Sequence, residues 1–234
     1  MHIMQVIFGL IQKGKLMFDF NKARVIGVTQ PVVDFIPNSE GILSYAARAS
    51  SPDNQENFDS ASKLLSYCVR NKHYSVFETC SMTIEVETPR DIARQILRHR
   101  SFSFQEFSQR YAQVTNFTSR ECRLQDTKNR QNSLESTDSD LNFSWDAMQQ
   151  EVLDLVSKNY ERALSLGIAK EVARTLLPEG LTMSKMYMQG SVRSWLHFIN
   201  VRDDEGVAQL EVVDVARKVK AEVLKHFPCL EEVM

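Results

Sequence analysis

Apolar and polar positions along this 234-residue chain change period several times, and each change marks an element. Residues 23–29 (Ala-Arg-Val-Ile-Gly-Val-Thr) read as a strand. Helical patterns are predicted over 39–50 and 57–71, the second with Ala61, Leu64, Leu65 and Cys68 on one face. Residues 80–87 alternate, the period of a half-buried strand. Thr88-Pro89 then predicts a helix start, a cap-type residue followed by Pro at the first helical position. That helix is expected to run to about Arg100 with Ile92, Ala93, Ile96 and Leu97 inward. Residues 119–140 nearly lack apolar side chains and read as a long loop or lid. A long amphipathic helix is predicted over 143–166 and stops at Gly167, and a shorter one over 169–177 ends before Pro178. Residues 181–188 alternate weakly as a strand candidate, and helices over 191–202 and 207–227 close the chain. Strands interleaved with helices point to one mixed α/β unit. The pattern leaves the strand order open.

Composition narrows the class of protein. With 43% hydrophobic and 25% charged residues, the chain falls outside the disordered and low-complexity classes. Lys+Arg 28 against Asp+Glu 30 leaves a formal net charge of -2, so no global field recruits nucleic acid. Cys68, Cys80, Cys122 and Cys229 form no C-x-x-C pair, which argues against a zinc ribbon, a thioredoxin-type site and a disulfide scaffold. No metal site is expected, and a reducing, cytoplasmic setting fits. No stretch approaches the roughly 20 apolar residues of a membrane-spanning helix. Residues 1–17 are expected to be an N-terminal extension, weakly ordered or a first strand, ahead of a single domain over 18–230.

Charge is unevenly spread. Residues 88–130 hold nine Arg/Lys against four Asp/Glu, densest at Arg94-Gln95-Ile96-Leu97-Arg98-His99-Arg100. Arg94 and Arg98, four apart, are expected on one helical face. Guanidinium groups suit bidentate contact with phosphate, and Gln95 adds directional hydrogen bonds. Ser108 and Arg110 would add a hydroxyl, a backbone N–H and another cation, and the set suggests a pocket for a phosphorylated small molecule. The competing explanation is a solvated basic helix end, where Arg and His meet the C-terminal dipole. That explanation leaves the Ser/Gln/Glu/Ser/Arg string of residues 103–110 unaccounted for. The alternative functional reading is an RNA-binding module built on the 88–130 basic region, with salt-dependent affinity for polynucleotide.

Arg98-His99-Arg100, seven intervening residues and Ser108 resemble the signature of the flavin-dependent thymidylate synthases, with Gln95 and Arg110 also in register. Upstream, His73-Tyr74-Ser75-Val76-Phe77-Glu78 is similar to the family's flavin-contacting segment. Downstream, Glu171-Val172-Ala173-Arg174 through Pro178 is similar to its E-x-A-R-x-x-L-P helix, and Arg193 through Arg202 resembles its last active-site helix. The four blocks run in the family's order across about residues 20–227.

The resemblance implies a mixed α+β fold, a central sheet with flanking helices, assembled as a homotetramer with FAD at subunit interfaces. It implies conversion of dUMP to dTMP, with methylenetetrahydrofolate as carbon donor and NADPH as reductant, and without a cysteine nucleophile. Flavin contacts would fall on Ser75, Arg98, His99, Arg100, Glu106, Ser191, Arg193 and His197. Nucleotide contacts would fall on Gln95, Arg98, Glu106, Ser108, Gln109, Arg110, Arg174 and Arg202. Arg202 matches the arginine that polarises the uracil ring, and is the expected catalytic residue. Neither a nucleic acid nor a membrane is an expected partner.

Overall fold

Alternation over residues 80–87 becomes the central strand of the protein in a computed structural model that describes residues 18–234. The N-terminal extension expected over 1–17 lies outside the described residues. The chain runs β1 (Lys22–Val28), α1 (Ser39–Ala47), α2 (Ala61–Arg70), a tight 3₁₀ turn (Tyr74–Glu78), β2 (Ser81–Pro89) and α3 (Arg90–Ile96). It continues through β3 (Ser103–Glu106), β4 (Arg123–Gln125), β5 (Ser133–Glu135), α4 (Ser139–Ser165) and α5 (Lys170–Ala173). The strand β6 (Met183–Ser191) and the helices α6 (Val192–Arg202) and α7 (Leu210–Leu224) follow.

The main sheet has the order β1-β2-β6-β3, with every neighbouring pair antiparallel. The fold is therefore α+β, an antiparallel sheet whose strands alternate along the chain with helices. Register sets which side chains face the helices. Met82 opposes Gly190, Ile84 opposes Met188 and Val86 opposes Met186, and all six positions are buried. Period-two alternation makes one sheet face apolar, and α6 and α7 cover it with Trp195, Phe198, Val212, Val215 and Val219. Met186 and Met188 thus belong to the core.

Two local starts differ from the sequence pattern. Thr88 was expected to cap α3, but its buried hydroxyl donates to Asn21 Oδ1 at 2.7 Å. Asn21 Nδ2 in turn donates to the buried Asp214 at 2.9 Å, so Thr88 ties the sheet to α7. Pro89 ends β2 and is the cap position, and Arg90 N donates out of the helix to Thr182 O at 3.0 Å. The helix also stops at Ile96, four residues short of expectation, with Arg98, His99 and Arg100 in the turn beyond it. Arg94 and Arg98 consequently do not share a helical face.

The polar segment 119–140 is held by ions rather than by packing. It contains the two-stranded hairpin β4–β5, whose three-residue strands carry too little apolar pattern to be read from sequence. Gln149 of α4 brackets Arg120, accepting from its backbone N at 2.7 Å and donating to its carbonyl at 2.9 Å. Arg120 Nη2 donates to Asp91 Oδ1 at 2.6 Å. Arg120 Nη1 and Arg123 Nη2 lie 3.1 and 2.5 Å from Glu211 Oε1, whose side chain is 1% exposed. Burial pushes the Glu211 carboxyl up, but Arg123 and Arg120 outweigh it and hold it below the usual carboxylate range. Its stabilising contribution is present above that range and is lost as pH falls through the lowered value. Glu211→Ala removes the carboxylate that Arg120 and Arg123 share, leaving Arg120 only Asp91 and Arg123 only Glu121, and is expected to cost about 3 kcal/mol, the lower end for breaking a buried pair, read from the urea midpoint. A loss below about 1 kcal/mol, the scale of a surface pair, would refute the clamp.

Candidate active site

The end of α6 and the turn after α3 meet through one hydrogen bond. Arg202 Nε donates to His99 Nε2 at 2.8 Å, and Arg202 Nη2 donates to Gln95 O at 3.3 Å. Accepting at Nε2 requires His99 to be neutral with its proton on Nδ1. Burial, the Arg202 cation and His197 all act in that direction and hold His99 at a pKa of about 4. The imidazole packs edge-on against Phe198 with ring centroids 5.0 Å apart. His197, exposed on the same helix, lies 6.3 Å from His99.

Arg202 is under electrostatic pressure. Burial and the neighbouring Arg98 lower its proton affinity below the usual guanidinium value. Two of its edges are fixed by His99 and Gln95, while Nη1 has no protein partner among the described residues. Arg98 and Arg100 make no ion pair or hydrogen bond among the described residues. This turn therefore presents unneutralised cations beside a neutral imidazole, an arrangement suited to an arriving anion.

The turn's shape comes from the core. Phe102 packs on Trp195 with centroids 4.5 Å apart and approaches β6 at its single glycine. A Cβ on Gly190 would lie 2.5 Å from Phe102 Cδ1, so only glycine lets the ring seat there. Phe102 and Phe104 are core-facing, whereas Tyr111 is 77% exposed.

The remaining candidate residues fall into three groups. On the exposed face of α6, Arg193 Nη1 donates to Glu78 Oε1 at 3.0 Å, which brings it to the tight turn carrying exposed Ser75. Ser191 accepts from Ser194 N at 3.3 Å and so serves as the N-cap of α6. Glu106 Oε1 accepts from Ser184 Oγ at 2.8 Å and lies 3.4 Å from Arg90, leaving Oε2 without a protein partner among the described residues. Beyond it, Arg110 Nε sits 3.4 Å from Glu171, and Arg174 Nε donates to the carbonyl of the same Glu171 at 3.2 Å. Arg110 N donates to Ser108 Oγ at 3.4 Å, and buried Gln109 holds an Nε2 with no protein partner among the described residues. No hydrogen bond or ion pair among the described residues links the Ser108–Arg174 group directly to Arg202.

Two site-building residues escaped the sequence pattern. Gln209 Oε1 accepts from Gln95 Nε2 at 2.8 Å, yet it lies past the last recognisable motif. Glu78 was visible inside its motif, but its partner Arg193 is 115 residues away and the pairing appears only in the fold. Many arginines of the basic region are already neutralised: Arg90 by Glu106, Arg94 by Glu179, Arg110 by Glu171, and Arg120 and Arg123 by Glu211. This pairing removes the continuous basic face that an RNA-binding module needs.

Fold and site together define an α+β protein in which unpaired cations stand on one turn beside a neutral histidine. A family model described as "Thymidylate synthase complementing protein" matches residues 31–229. A probable flavin-dependent thymidylate synthase of Paramecium bursaria Chlorella virus 1 is 46% identical over 213 residues, covering 91% of this chain and 98% of that protein. A flavin-dependent thymidylate synthase of Synechocystis sp. is 48% identical over 208 residues, covering 88% and 95%. A UMP/dUMP methylase of Streptomyces cacaoi, solved with 5-Br dUMP, superposes with a TM-score of 0.74 at 28% identity and covers 91% of this chain and 93% of that one. The chain belongs to the flavin-dependent thymidylate synthase family.

The neutral state of His99 has a direct test. Because its pKa is held at about 4, its imidazole resonances are expected to stay flat from pH 8 to pH 5 and to move only near pH 4. The linked stability falls as pH drops below the usual imidazole value, because the unfolded chain takes the proton first. A titration midpoint near 6.5, the ordinary imidazole value, would contradict the Arg202–His99 geometry.

Proposed function

We propose that this chain makes dTMP from dUMP, with methylenetetrahydrofolate supplying the carbon, NADPH the reducing hydride, and FAD as the bound cofactor. The observation that carries the proposal is the Arg202–His99–Gln95 clamp beside the unpaired Arg98 and Arg100. The donor set fits the cofactor. Arg98 and Arg100 offer free guanidinium groups to a pyrophosphate, and neutral His99 offers an Nδ1 proton. Ser75, Arg193 and His197 line the adjoining exposed face of the 74–78 turn and α6, with the cap Ser191 at the helix start, and Glu106 of β3 stands further along β6 with its Oε2 free among the described residues. FAD, when bound, supplies the hydride-transfer and one-carbon chemistry that side chains lack.

The protein's own work is binding and polarisation. Arg110 and Arg174 converge on Glu171, and with Ser108 and the orphaned Gln109 amide they form the proposed phosphate and sugar subsite. Gln95 and Arg98 flank Arg202 and are assigned to the base side. Arg202 is the proposed catalytic residue. Its free Nη1 edge stabilises negative charge at the N3/O4 edge of uracil as C5 becomes nucleophilic, an electrostatic contribution of the oxyanion-hole kind. Buried guanidinium repelled by Arg98 gains most from such an anion. No cysteine is assigned a nucleophilic role; Cys80 and Cys229 are buried and their thiols are pushed up by burial.

The homotetramer with composite sites belongs to the same proposal. Leu141, Trp145, Met148, Val152 and Leu155 form an exposed stripe along α4 at heptad-like spacing. A second copy of the chain is the natural cover for such a stripe. Assembly would also bring the Ser108–Arg174 group of one protomer toward the Arg202 group of another. A cytoplasmic setting, where NADPH and reduced folate are supplied, completes the proposal.

Purified protein is expected to be yellow and to rescue a thymidine-requiring strain; a colourless protein that ignores added FAD would sink the assignment. Arg202→Ala should retain the flavin spectrum while dTMP formation falls by about 10²–10³-fold, the scale of a lost oxyanion donor. Near-normal turnover would refute the role. Val152→Asp with Leu155→Glu should shift the light-scattering mass to a smaller species and reduce flavin content, whereas an unchanged mass would refute the α4 interface.

A further inference from the structure

Between α1 and α2 lies a cavity of about 480 Å³ that the proposed chemistry does not use. Arg48 at the end of α1 lines it, only 7% exposed. Its Nη2 donates to Ser60 Oγ at 2.7 Å, and its buried Nη1 has no partner among the described residues. Arg48 forms no ion pair among the described residues. A buried guanidinium without a counter-carboxylate is costly until an anion compensates it. Every other charged group on the cavity wall is also cationic: Lys63 contributes an ammonium, and no Asp or Glu lines the space. Ser50, Ser51 and Ser60 add hydroxyl groups, and Tyr67 adds an aromatic wall. The same Tyr67 ring meets His73 edge-on at 6.0 Å. His73 immediately precedes the turn that carries Ser75 and the Glu78–Arg193 pair.

We propose that this cavity binds the distal anionic end of a co-substrate, a phosphate or paired carboxylates attached to a ring. Arg48 and Lys63 supply the two positive charges, the serines donate hydrogen bonds, and Tyr67 packs against the ring. A ligand leaving the cavity past Tyr67 and His73 meets the turn that lies beside α6, so the reacting end points toward the proposed flavin site. Two ligands of the proposed reaction carry this chemistry: a reduced dinucleotide through its phosphates, and a folate through its glutamyl carboxylates. The choice between them rests on the proposed function; the anion site itself rests on Arg48, Lys63 and the cavity.

The test titrates holoenzyme with adenosine bisphosphate and, separately, with p-aminobenzoyl-oligoglutamate, by calorimetry. One of the two is expected to bind saturably, and that one names the source of the anion. Lys63→Glu is expected to weaken this binding about tenfold or more, the loss carried by one charge-assisted contact, with flavin absorbance and melting temperature unchanged. Arg48→Lys, which keeps the charge but not the fork, is expected to weaken it as well. Absence of binding by both probes, or binding insensitive to Lys63→Glu, overturns the site. Flavin content measured on the same sample separates this outcome from failure of the proposed function, which would show as colourless protein.

Discussion

The arginine cluster at the end of α6 is organised by a single hydrogen bond, from Arg202 Nε to His99 Nε2. The bond exists only while the imidazole is neutral, because a protonated ring would offer two donors and no acceptor. Burial performs that selection before any ligand arrives. The consequence is mechanical as well as electrostatic. The last turn of α6 is pinned to the turn after α3, Gln95 O takes a second bond from the same guanidinium, and Arg98 projects beside it unpaired. A lysine at 202 would keep the charge and lose the fork that makes both contacts at once.

That bond is itself a product of core packing. Phe198 sits under His99, one face of α6 carries Trp195, and Phe102 closes against both. Phe102 reaches this place because β6 has Gly190 where any larger residue would collide with the ring. The Arg98–His99–Arg100 turn is thus anchored at its far end by an aromatic plug and at its near end by α3. The apolar face created by alternation in β2 and β6 sets where the functional cations stand.

Legibility in the sequence followed the source of stability. Elements held by apolar periodicity, such as β2, α2, α6 and α7, appear close to where the pattern predicts them, with ends shifted by a few residues. The role of Thr88 was not readable, because a distant partner, Asn21, takes the hydroxyl. The hairpin within 119–140 was hidden for a related reason. Its anchors, Arg120 and Arg123, find Glu211 about ninety residues on, and ion pairs leave no periodic trace. The site shows the same division. The Arg98–Arg100 and Ser108–Arg110 groups are contiguous and visible as motifs, whereas Gln209 enters through one side-chain contact with Gln95.

The distribution of unpaired charge carries the functional argument furthest. A basic stretch that binds polynucleotide needs its cations free and aligned along a surface. Here Arg90, Arg94, Arg110, Arg120 and Arg123 already have carboxylate partners. Arg98, Arg100 and Arg48 have none among the described residues. The first two project from the turn beside Arg202, and the third is buried under a hydroxyl-lined cavity. A protein that neutralises its structural arginines and leaves others unpartnered beside pockets has separated two uses of one residue type. The paired arginines hold elements together; the unpaired ones wait for anions of small size and fixed shape. A net charge of -2 conceals that separation, because it is a property of position and not of count.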